Sequence, residues 1–254
     1  MLVTGFPAGS FAANCYIVAP AAGEECVIID PGQDSQPGIE EILTRYRLKP
    51  IAVLLTHGHI DHVWSVAPVC GARGIPAYIH PDDRDLLSDP GKGLSLGANQ
   101  QLFGGLTFTE PDDVLELSDG ATLTLAGVDF TVAHMPGHTE GSVTFGTQGS
   151  EGGPGADTVP ARGDNPPRPP RRTAGEIRSG AKVLFSGDLL FAGSIGRTDL
   201  PGGDHREILR SLERTLTLPD ETIVLPGHGP QTTIGVERAH NPFLTGLRPA
   251  QKGM

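Results

Sequence analysis

The stretch that decides the fold of this chain reads Ile51-Ala-Val-Leu-Leu55-Thr56-His57-Gly58-His59-Ile60-Asp61-His62. Its first five residues are apolar and mostly aliphatic, which predicts a short strand buried on both faces. Three histidines and an aspartate follow within six residues, in a chain that has 9 histidines among 254 residues. Imidazole nitrogen and carboxylate oxygen are ligands for ions such as zinc. We therefore predict a metal site where this strand ends.

The spacing inside this motif suits two ions better than one. A tight turn at Gly58 lets alternate side chains diverge, so that His57 and His59 can face one ion while Asp61 and His62 face another. One helical turn cannot supply all the ligands that two adjacent ions need. The remaining ligands are therefore expected to come from elsewhere in the chain.

Three other predicted strands run into glycine-containing turns that carry a metal-binding side chain. The strand at 128–132 leads to His138, the strand at 182–185 leads to Asp188, and the strand at 222–225 leads to His228. Open α/β sheets gather ligands at the ends of their strands. Four strand ends are therefore expected to supply seven ligands, which are His57, His59, Asp61, His62, His138, Asp188 and His228.

This set of motifs resembles the signature of the metallo-β-lactamase superfamily, in which HxHxDH is followed by separated His, Asp and His residues. The resemblance implies an α/β fold of the αββα sandwich type, with two mixed sheets flanked by helices. It also implies two divalent metal ions, with zinc expected and iron or manganese left open. In that superfamily pattern, His57, His59 and His138 would bind the first ion, Asp61, His62 and His228 would bind the second, and Asp188 would bridge them.

Two later segments are similar to short, single-domain bacterial members of the glyoxalase II branch, the hydroxyacylglutathione hydrolases. They are Gly187–Gly203 and Pro226–Arg238, the latter followed by Asn241–Phe243. The resemblance implies that a metal-bridging hydroxide cleaves thioesters of glutathione or of a related low-molecular-weight thiol. Asp61 would be the catalytic residue that orients the hydroxide and receives its proton, and Arg197 would bind a carboxylate of the substrate.

The resemblance to glyoxalase II does not identify the thiol that forms the thioester substrate. Full-length glyoxalase II carries a C-terminal helical domain that helps to bind glutathione, whereas few residues follow His228 here. That enzyme usually reads Gly-Lys-Phe-Tyr where this chain has Gly-Arg-Thr-Asp at 196–199, and an aspartate at position 199 cannot replace the tyrosine. A thiol other than glutathione therefore remains an alternative.

Three other functions stay open at this point. A persulfide dioxygenase of the same superfamily shares the HxHxDH and Gly-Arg-Thr-Asp motifs but uses one iron, so the availability of His228 for a second ion favours the hydrolase. A lactonase or β-lactamase-type hydrolase has no pocket motif in this sequence to support it. A non-catalytic scaffold would be expected to have lost ligands, and all seven are present.

The charge balance narrows the expected partners. The chain has 19 Lys and Arg against 30 Asp and Glu, a formal charge of −11. This balance disfavours nucleic acid and anionic membranes, which attract basic surfaces, and favours a small-molecule substrate. No signal peptide is recognisable at the N-terminus, and the three cysteines form no CxxC pair, so we expect buried thiols and a cytoplasmic protein.

Residues 1–254 are predicted to form a single domain with an unusual insertion. Helices are expected at 39–46, 61–66 and 208–216, between mostly apolar strands. The segment 148–180 contains seven glycines and six prolines and has no hydrophobic period, which predicts a disordered loop. The sequence does not identify a protein partner for this insertion.

For Asp30 and for the histidines outside the predicted metal site, the sequence predicts structural roles instead of metal binding. Asp30 is predicted to start a turn, with a hydrogen bond to a ligand histidine as the alternative. Surface or capping positions are expected for His80, His205 and His240. For His134, four residues before His138, we expect packing or a hydrogen bond beside the site.

Overall fold

Two mixed β-sheets lie face to face between layers of helix in the computed structural model, which describes residues 1–94, 107–149 and 173–247. Within these ranges the strands are β1 (Leu2–Ala8), β2 (Ala13–Ala19), β3 (Glu25–Ile29), β4 (Lys49–Leu54), β5 (Ala77–Ile79), β6 (Val114–Glu116), β7 (Thr122–Leu125), β8 (Val128–His134), β9 (Val143–Gln148), β10 (Thr173–Glu176), β11 (Lys182–Gly187), β12 (Leu190–Phe191), β13 (Ser194–Ile195), β14 (Ile223–Pro226) and β15 (Thr232–Thr233). The helices are α1 (Gln36–Tyr46), α2 (Ile60–Val63), α3 (Val66–Gly71), α4 (Pro81–Arg84), α5 (His205–Thr215) and α6 (Ile234–His240). The αββα arrangement implied by the resemblance is confirmed.

The directions of the strands bring the loops that carry predicted metal ligands to one edge of the sheets. The first sheet has the order β10-β1-β2-β3-β4-β5-β6, and the second has the order β15-β14-β11-β9-β8-β7. Strands β3 and β4 are parallel, and so are β11 and β14. Strand β8 is antiparallel to β9, which is antiparallel to β11, so β8 runs in the same direction as β11. The loops that follow β8, β11 and β14 therefore leave the second sheet at the same edge.

The core between the sheets explains why the strands read as apolar runs. Val27 and Leu54 of the first sheet belong to one buried cluster with Phe130, Phe145 and Phe185 of the second. Burial of side chains of this size stabilises the fold by about 1.5–3 kcal/mol each. The alternate residues of β3 belong to a different cluster, which includes residues of α1 and α3, so this strand is buried on both faces.

Helix α5 covers the outer face of the second sheet. Ile208 and Leu212 of α5 belong to one buried cluster with Leu184 and Val224 of the sheet. This packing differs from what the sequence pattern predicts for β9, since polar and apolar residues alternate in Ser142-Val-Thr-Phe145 and such alternation predicts a half-buried strand. Thr144 lies on the face opposite to the inter-sheet core and is nevertheless only 1% exposed. A helix that covers the second face of a sheet cannot be read from the alternation within one strand.

Two of the three predicted helices are confirmed and one is corrected. The segments 39–46 and 208–216 fall in α1 and α5, apart from the last residue of the second. The single helix predicted at 61–66 is instead α2 followed by α3. Ser65 explains the break, because its N–H donates to the carbonyl of Pro31 and its hydroxyl donates to the carbonyl of Gly32. These bonds attach the chain to the loop after β3.

The segment 148–180 differs from the continuous loop predicted for it. Gln148 ends β9, and residues 173–176 form β10, which pairs antiparallel with β1. Without β10, β1 would be the edge strand of the first sheet, with backbone N–H and C=O groups that another segment can pair with. Most of the predicted disordered loop, residues 150–172, lies outside the described residues. No helix in the described ranges is long and apolar enough to cross a membrane.

Candidate metal centre

The seven predicted ligands meet at the shared edge of the two sheets. His57 and His59 follow β4, and Asp61 and His62 lie in α2 directly after them. The other three follow strands of the second sheet, His138 after β8, Asp188 after β11 and His228 after β14. The structure therefore brings together every residue that the sequence predicts for this site.

Three histidines form the first group of donors. One ring nitrogen from each of His57, His59 and His138 lies within 4.8 Å of the other two. His59 Nδ1 and His138 Nε2 are 2.8 Å apart. All three side chains are buried, so a group placed between them would be shielded from solvent. Three converging imidazoles are a typical zinc-binding arrangement.

A second group lies next to the first. Donor atoms of Asp61, His62 and His228 also lie within 4.8 Å of one another. Asp188 Oδ2 is 3.6 Å from His138 Nε2 and 3.6 Å from His228 Nε2, so one carboxylate oxygen is equally far from one histidine of each group. Asp188 therefore occupies the position expected of a bridging ligand.

The donor set fits bound metal ions on two counts. His57 Nε2, His59 Nε2 and Asp188 Oδ1 are buried side-chain atoms that have no hydrogen-bond partner within the described part of the chain. A buried polar atom without a partner costs about 1–3 kcal/mol, and bound metal ions would satisfy His57 Nε2 and Asp188 Oδ1, whereas His59 faces His138 with its other ring nitrogen, Nδ1. Imidazole and carboxylate are also the ligand types that divalent ions such as zinc and iron accept.

The proton affinities of the histidines agree with this interpretation. Burial and the neighbouring imidazoles lower the pKa of His57 well below its ordinary value, and they lower the pKa of His59 to about 3. Both rings are therefore neutral at pH 7, which is the form that binds metal. Burial disfavours a charge on His62, but the carboxylates, chiefly Asp61 and Asp188, raise its pKa to about 10. The same carboxylates would attract a metal cation.

Asp30 orients His62, as the alternative interpretation of the sequence proposed. Its Oδ2 lies 3.0 Å from His62 Nδ1 and accepts a 2.6 Å hydrogen bond from the Thr56 hydroxyl, and its Oδ1 accepts a 2.8 Å bond from the Thr56 N–H. The turn-starting role predicted first is therefore corrected. A histidine whose Nδ1–H is held by a carboxylate presents its Nε2 to a metal ion.

Sequence reasoning missed the support of His138. Its Nδ1 lies 2.7 Å from the backbone carbonyl oxygen of Arg197, so this histidine can donate to the carbonyl and keep Nε2 free. The Arg197 guanidinium lies elsewhere, in two hydrogen bonds to Asp199 at 2.7 and 2.8 Å. A backbone carbonyl leaves no signal in the sequence, because every residue has one. Residue 197 therefore supports the site through its main chain, whereas the sequence predicted a role for its side chain.

The other histidines have structural roles. His80 Nδ1 accepts a hydrogen bond from the Asp82 N–H at the start of α4, which confirms the predicted capping role. The His80 and His134 rings stack at 4.0 Å with 9° between their planes. Ring nitrogens of His80 and His134 and a carboxylate oxygen of Asp82 lie within 4.8 Å of one another, but the two parallel rings do not direct their in-plane lone pairs at one point. His205 and His240 are exposed at helix ends, as predicted.

A family model described as the metallo-beta-lactamase superfamily matches residues 8–172 and 175–228. The chain belongs to the metallo-beta-lactamase superfamily. This superfamily binds divalent metals at His and Asp sites, in agreement with the donor groups described above. The protein is therefore a metal-dependent hydrolase of that superfamily.

Superfamily relatives match over almost the whole chain. Rv2581c, an uncharacterized protein of Mycobacterium tuberculosis, is 45% identical over 249 residues, which cover 97% of this chain and 99% of the relative. The probable metallo-hydrolase YqgX of Bacillus subtilis is 33% identical, with 95% and 96% covered. The hydroxyacylglutathione hydrolase GloC of Haemophilus influenzae is 32% identical, with 94% and 95% covered.

Solved structures of the superfamily agree with the fold. The BLEG-1 B3 metallo-beta-lactamase is 36% identical, and the match covers 96% of this chain and 100% of that chain with a TM-score of 0.72. TTHA1623 in a di-iron-bound form is also 36% identical, with 93% and 97% covered and a TM-score of 0.65. The names of these proteins include a lactamase and a di-iron protein, so superfamily membership alone leaves substrate and metal open.

Proposed function

We propose that this hydrolase cleaves thioesters of glutathione or of a related low-molecular-weight thiol. The observation that carries the proposal is the seven-donor cluster, in which one Asp188 oxygen lies 3.6 Å from His138 of the first group and 3.6 Å from His228 of the second. The similarity to GloC, a hydroxyacylglutathione hydrolase, supports a thioester as the substrate. We further propose a cytoplasmic site of action, since the net charge is −11 and the three cysteines are buried and unpaired.

The proposed cofactors are two divalent ions, with zinc preferred and iron or manganese as alternatives. His57, His59 and His138 would hold one ion, Asp61, His62 and His228 the other, and Asp188 both. Such ions lower the pKa of bound water to about 7 and polarise a carbonyl group. The di-iron form of TTHA1623 supports iron as the main alternative to zinc.

Asp61 is the proposed catalytic carboxylate. Its Oδ2 lies 3.0 Å from His228 Nε2, and 19% of its side chain is exposed. Burial alone would raise the pKa of Asp61, but His62 and His228 hold it well below its ordinary value. The carboxylate is therefore ionised at neutral pH and can accept a hydrogen bond from the attacking water. This ionised state supports orientation of the water more strongly than storage of its proton.

The leaving group needs little help from the protein. A free thiol has a pKa of about 8.5, so a thiolate can depart without a strong general acid. Arg197 is the proposed contact for a carboxylate of the thiol, because its side chain is 59% exposed and its guanidinium already binds the Asp199 carboxylate. Replacing Arg197 by Ala should raise KM for S-lactoylglutathione and leave kcat nearly unchanged, which steady-state kinetics would measure. A fall in kcat alone would contradict this role.

One experiment tests the proposed function as a whole. The purified protein is analysed for metals per chain, and cleavage of S-lactoylglutathione is measured beside oxygen uptake with glutathione persulfide. Two metals per chain with thioester cleavage would support the proposal. One iron per chain with oxygen uptake would instead identify a persulfide dioxygenase, the alternative that shares the HxHxDH motif.

A further inference from the structure

Asp83 connects two ligand-bearing loops and belongs to neither donor group. It lies in α4, and its side chain is almost completely buried, with 1% of the residue exposed. Its Oδ2 accepts hydrogen bonds from the Gly58 N–H at 2.8 Å and from the Thr139 hydroxyl at 2.7 Å. Its Oδ1 accepts a 2.8 Å bond from the Gly141 N–H. One carboxylate therefore joins the loop after β4 to the loop after β8.

These bonds are adjacent to all three histidines of the first donor group. Gly58 lies between His57 and His59, and Thr139 follows His138 directly. The distance between the two loops decides whether the three imidazoles can reach one ion. Asp83 is thus placed to fix that distance through the backbone on both sides.

The two glycines make the close approach to Asp83 feasible. A Cβ atom at Gly58 would lie 2.8 Å from the Asp83 carbonyl oxygen, and a Cβ atom at Gly141 would lie 2.6 Å from Asp83 Cγ. Real Cβ atoms essentially never make contacts shorter than 3.0 Å. Both loops therefore pack against this residue more tightly than any side chain would allow.

Neighbouring contacts hold α4 in place against the second loop. His80, the residue before α4, stacks on His134 of β8. His134 Nε2 lies 2.8 Å from the carbonyl oxygen of Glu140, in the same loop as His138. The helix that carries Asp83 is thus attached to the His138 loop at a second point.

The other donor group depends on separate supports. Asp30 orients His62, as described above. The loop before His228 is held by the side chains of Asn14 and Tyr16, which donate to the carbonyl of Pro226 at 2.9 and 2.8 Å. None of these contacts involves Asp83, so its loss should affect one donor group more than the other.

We propose that Asp83 is a positioning residue that sets the spacing of His57 and His59 relative to His138 and so controls metal affinity in that group. The inference rests on the proposed metal centre. It extends that proposal by giving the two metal positions different structural supports, so that one substitution can separate them.

The informative variant is Asp83→Asn, which keeps the size of the side chain. Asparagine has one acceptor oxygen and one NH₂ group, so either the Gly58 N–H or the Gly141 N–H loses its acceptor and faces another donor. Asp82→Asn is the matched control, because Asp82 is the preceding residue and its side chain is 52% exposed. Thr139→Val is a milder second variant that removes one donor and leaves the carboxylate in place.

Cobalt(II) binding to the metal-free full-length chain tests the inference. Asp83→Asn should bind one Co²⁺ with wild-type affinity and the other about 10- to 100-fold more weakly. When Asp83→Asn is combined with His228→Ala, which disables the second donor group, the ion that remains should show the weakened affinity. Asp82→Asn should match the wild type, and Thr139→Val should change affinity in the same direction by a smaller factor.

Other outcomes would overturn the inference. Wild-type affinity for both ions in Asp83→Asn would exclude the positioning role, and so would equal weakening of both ions. Thermal unfolding of the metal-free proteins identifies a variant that does not fold, and the Thr139→Val titration then decides, with unchanged affinity overturning the inference. If the wild-type chain binds no Co²⁺, the proposed metal centre itself fails, and this inference fails with it.

Discussion

Replacing Asp30 by Asn should weaken binding of the metal ion that His62 helps to hold. The new asparagine could still accept the bond from the Thr56 N–H through its remaining oxygen. Its NH₂ group, however, would stand where Asp30 Oδ2 now lies, 3.0 Å from His62 Nδ1. His62 would then have to carry its proton on Nε2. Because Nε2 is the nitrogen that faces Asp188 and His228, this tautomer has no lone pair to offer a metal ion there.

The magnitude follows from the contacts that change. Substitution of a residue that orients a ligand histidine typically lowers metal affinity about 10- to 100-fold, which is about 1.4–2.7 kcal/mol. Without metal, loss of a hydrogen bond to a buried charged group costs about 1.5–3 kcal/mol of unfolding free energy. For a chain of this length, each kcal/mol lowers Tm by about 2–4 °C.

Two measurements check this prediction. Competition with a zinc-binding dye gives the affinity of each zinc position, and calorimetry gives Tm of the metal-free protein. Asp34→Asn is the matched control, because Asp34 is exposed in the same loop and asparagine tolerates its φ of +53°. Wild-type zinc affinity in Asp30→Asn would refute the argument that Asp30 fixes the tautomer of His62.

Three further predictions concern the bridge, the core and pH. Asp188→Ala should abolish metal loading and thioester cleavage together, and a metal-free variant with full activity would exclude the dinuclear site. Phe185→Ala should lower the unfolding free energy by about 3–5 kcal/mol, because this side chain is 1% exposed between the sheets; a urea titration that gives less than about 1 kcal/mol would contradict the packing. Burial alone would raise the pKa of Asp119, but hydrogen bonds from the His134 N–H and from the Arg214 side chain lower it. Its contribution to stability is therefore present above pH 3.8 and lost as pH falls through the lowered pKa, so Asp119→Asn should destabilise the protein at pH 7 and progressively less as the pH is lowered below 3.8. A destabilisation that does not change with pH would contradict this.

The metal donors could be predicted from the sequence because each lies in a short segment that follows a strand signal. Short apolar runs end at His57 and near Asp188 and His228, and strands in one layer deliver their loops to the same edge. The positions of the strand ends along the chain therefore indicated which side chains come together in space. The same logic failed for the helix predicted at 61–66, where Ser65 bonds to the loop after β3 instead of continuing the helix.

The groups that hold the metal donors in place were harder to predict from the sequence than the donors themselves. Asp30 follows a buried run, but its position beside Thr56 depends on the parallel pairing of β3 with β4. Asp83 lies 25 residues from Gly58 and 56 residues from Thr139 along the chain, and no local pattern marks it as their partner. The carbonyl of Arg197 that faces His138 has no side-chain signal at all.

By itself, the sequence determined the candidate metal donors, through the HxHxDH stretch and three later strand ends, and these motifs carried the resemblance that implied the sandwich fold. These features are local, because apolar runs and turn residues act over a few positions along the chain. Only the tertiary structure decided how the imidazoles are held, since the groups that orient them are carboxylates and carbonyls brought from distant strands. A hydrogen bond depends on distance and angle in space, and neither is written in the spacing of residues along the sequence.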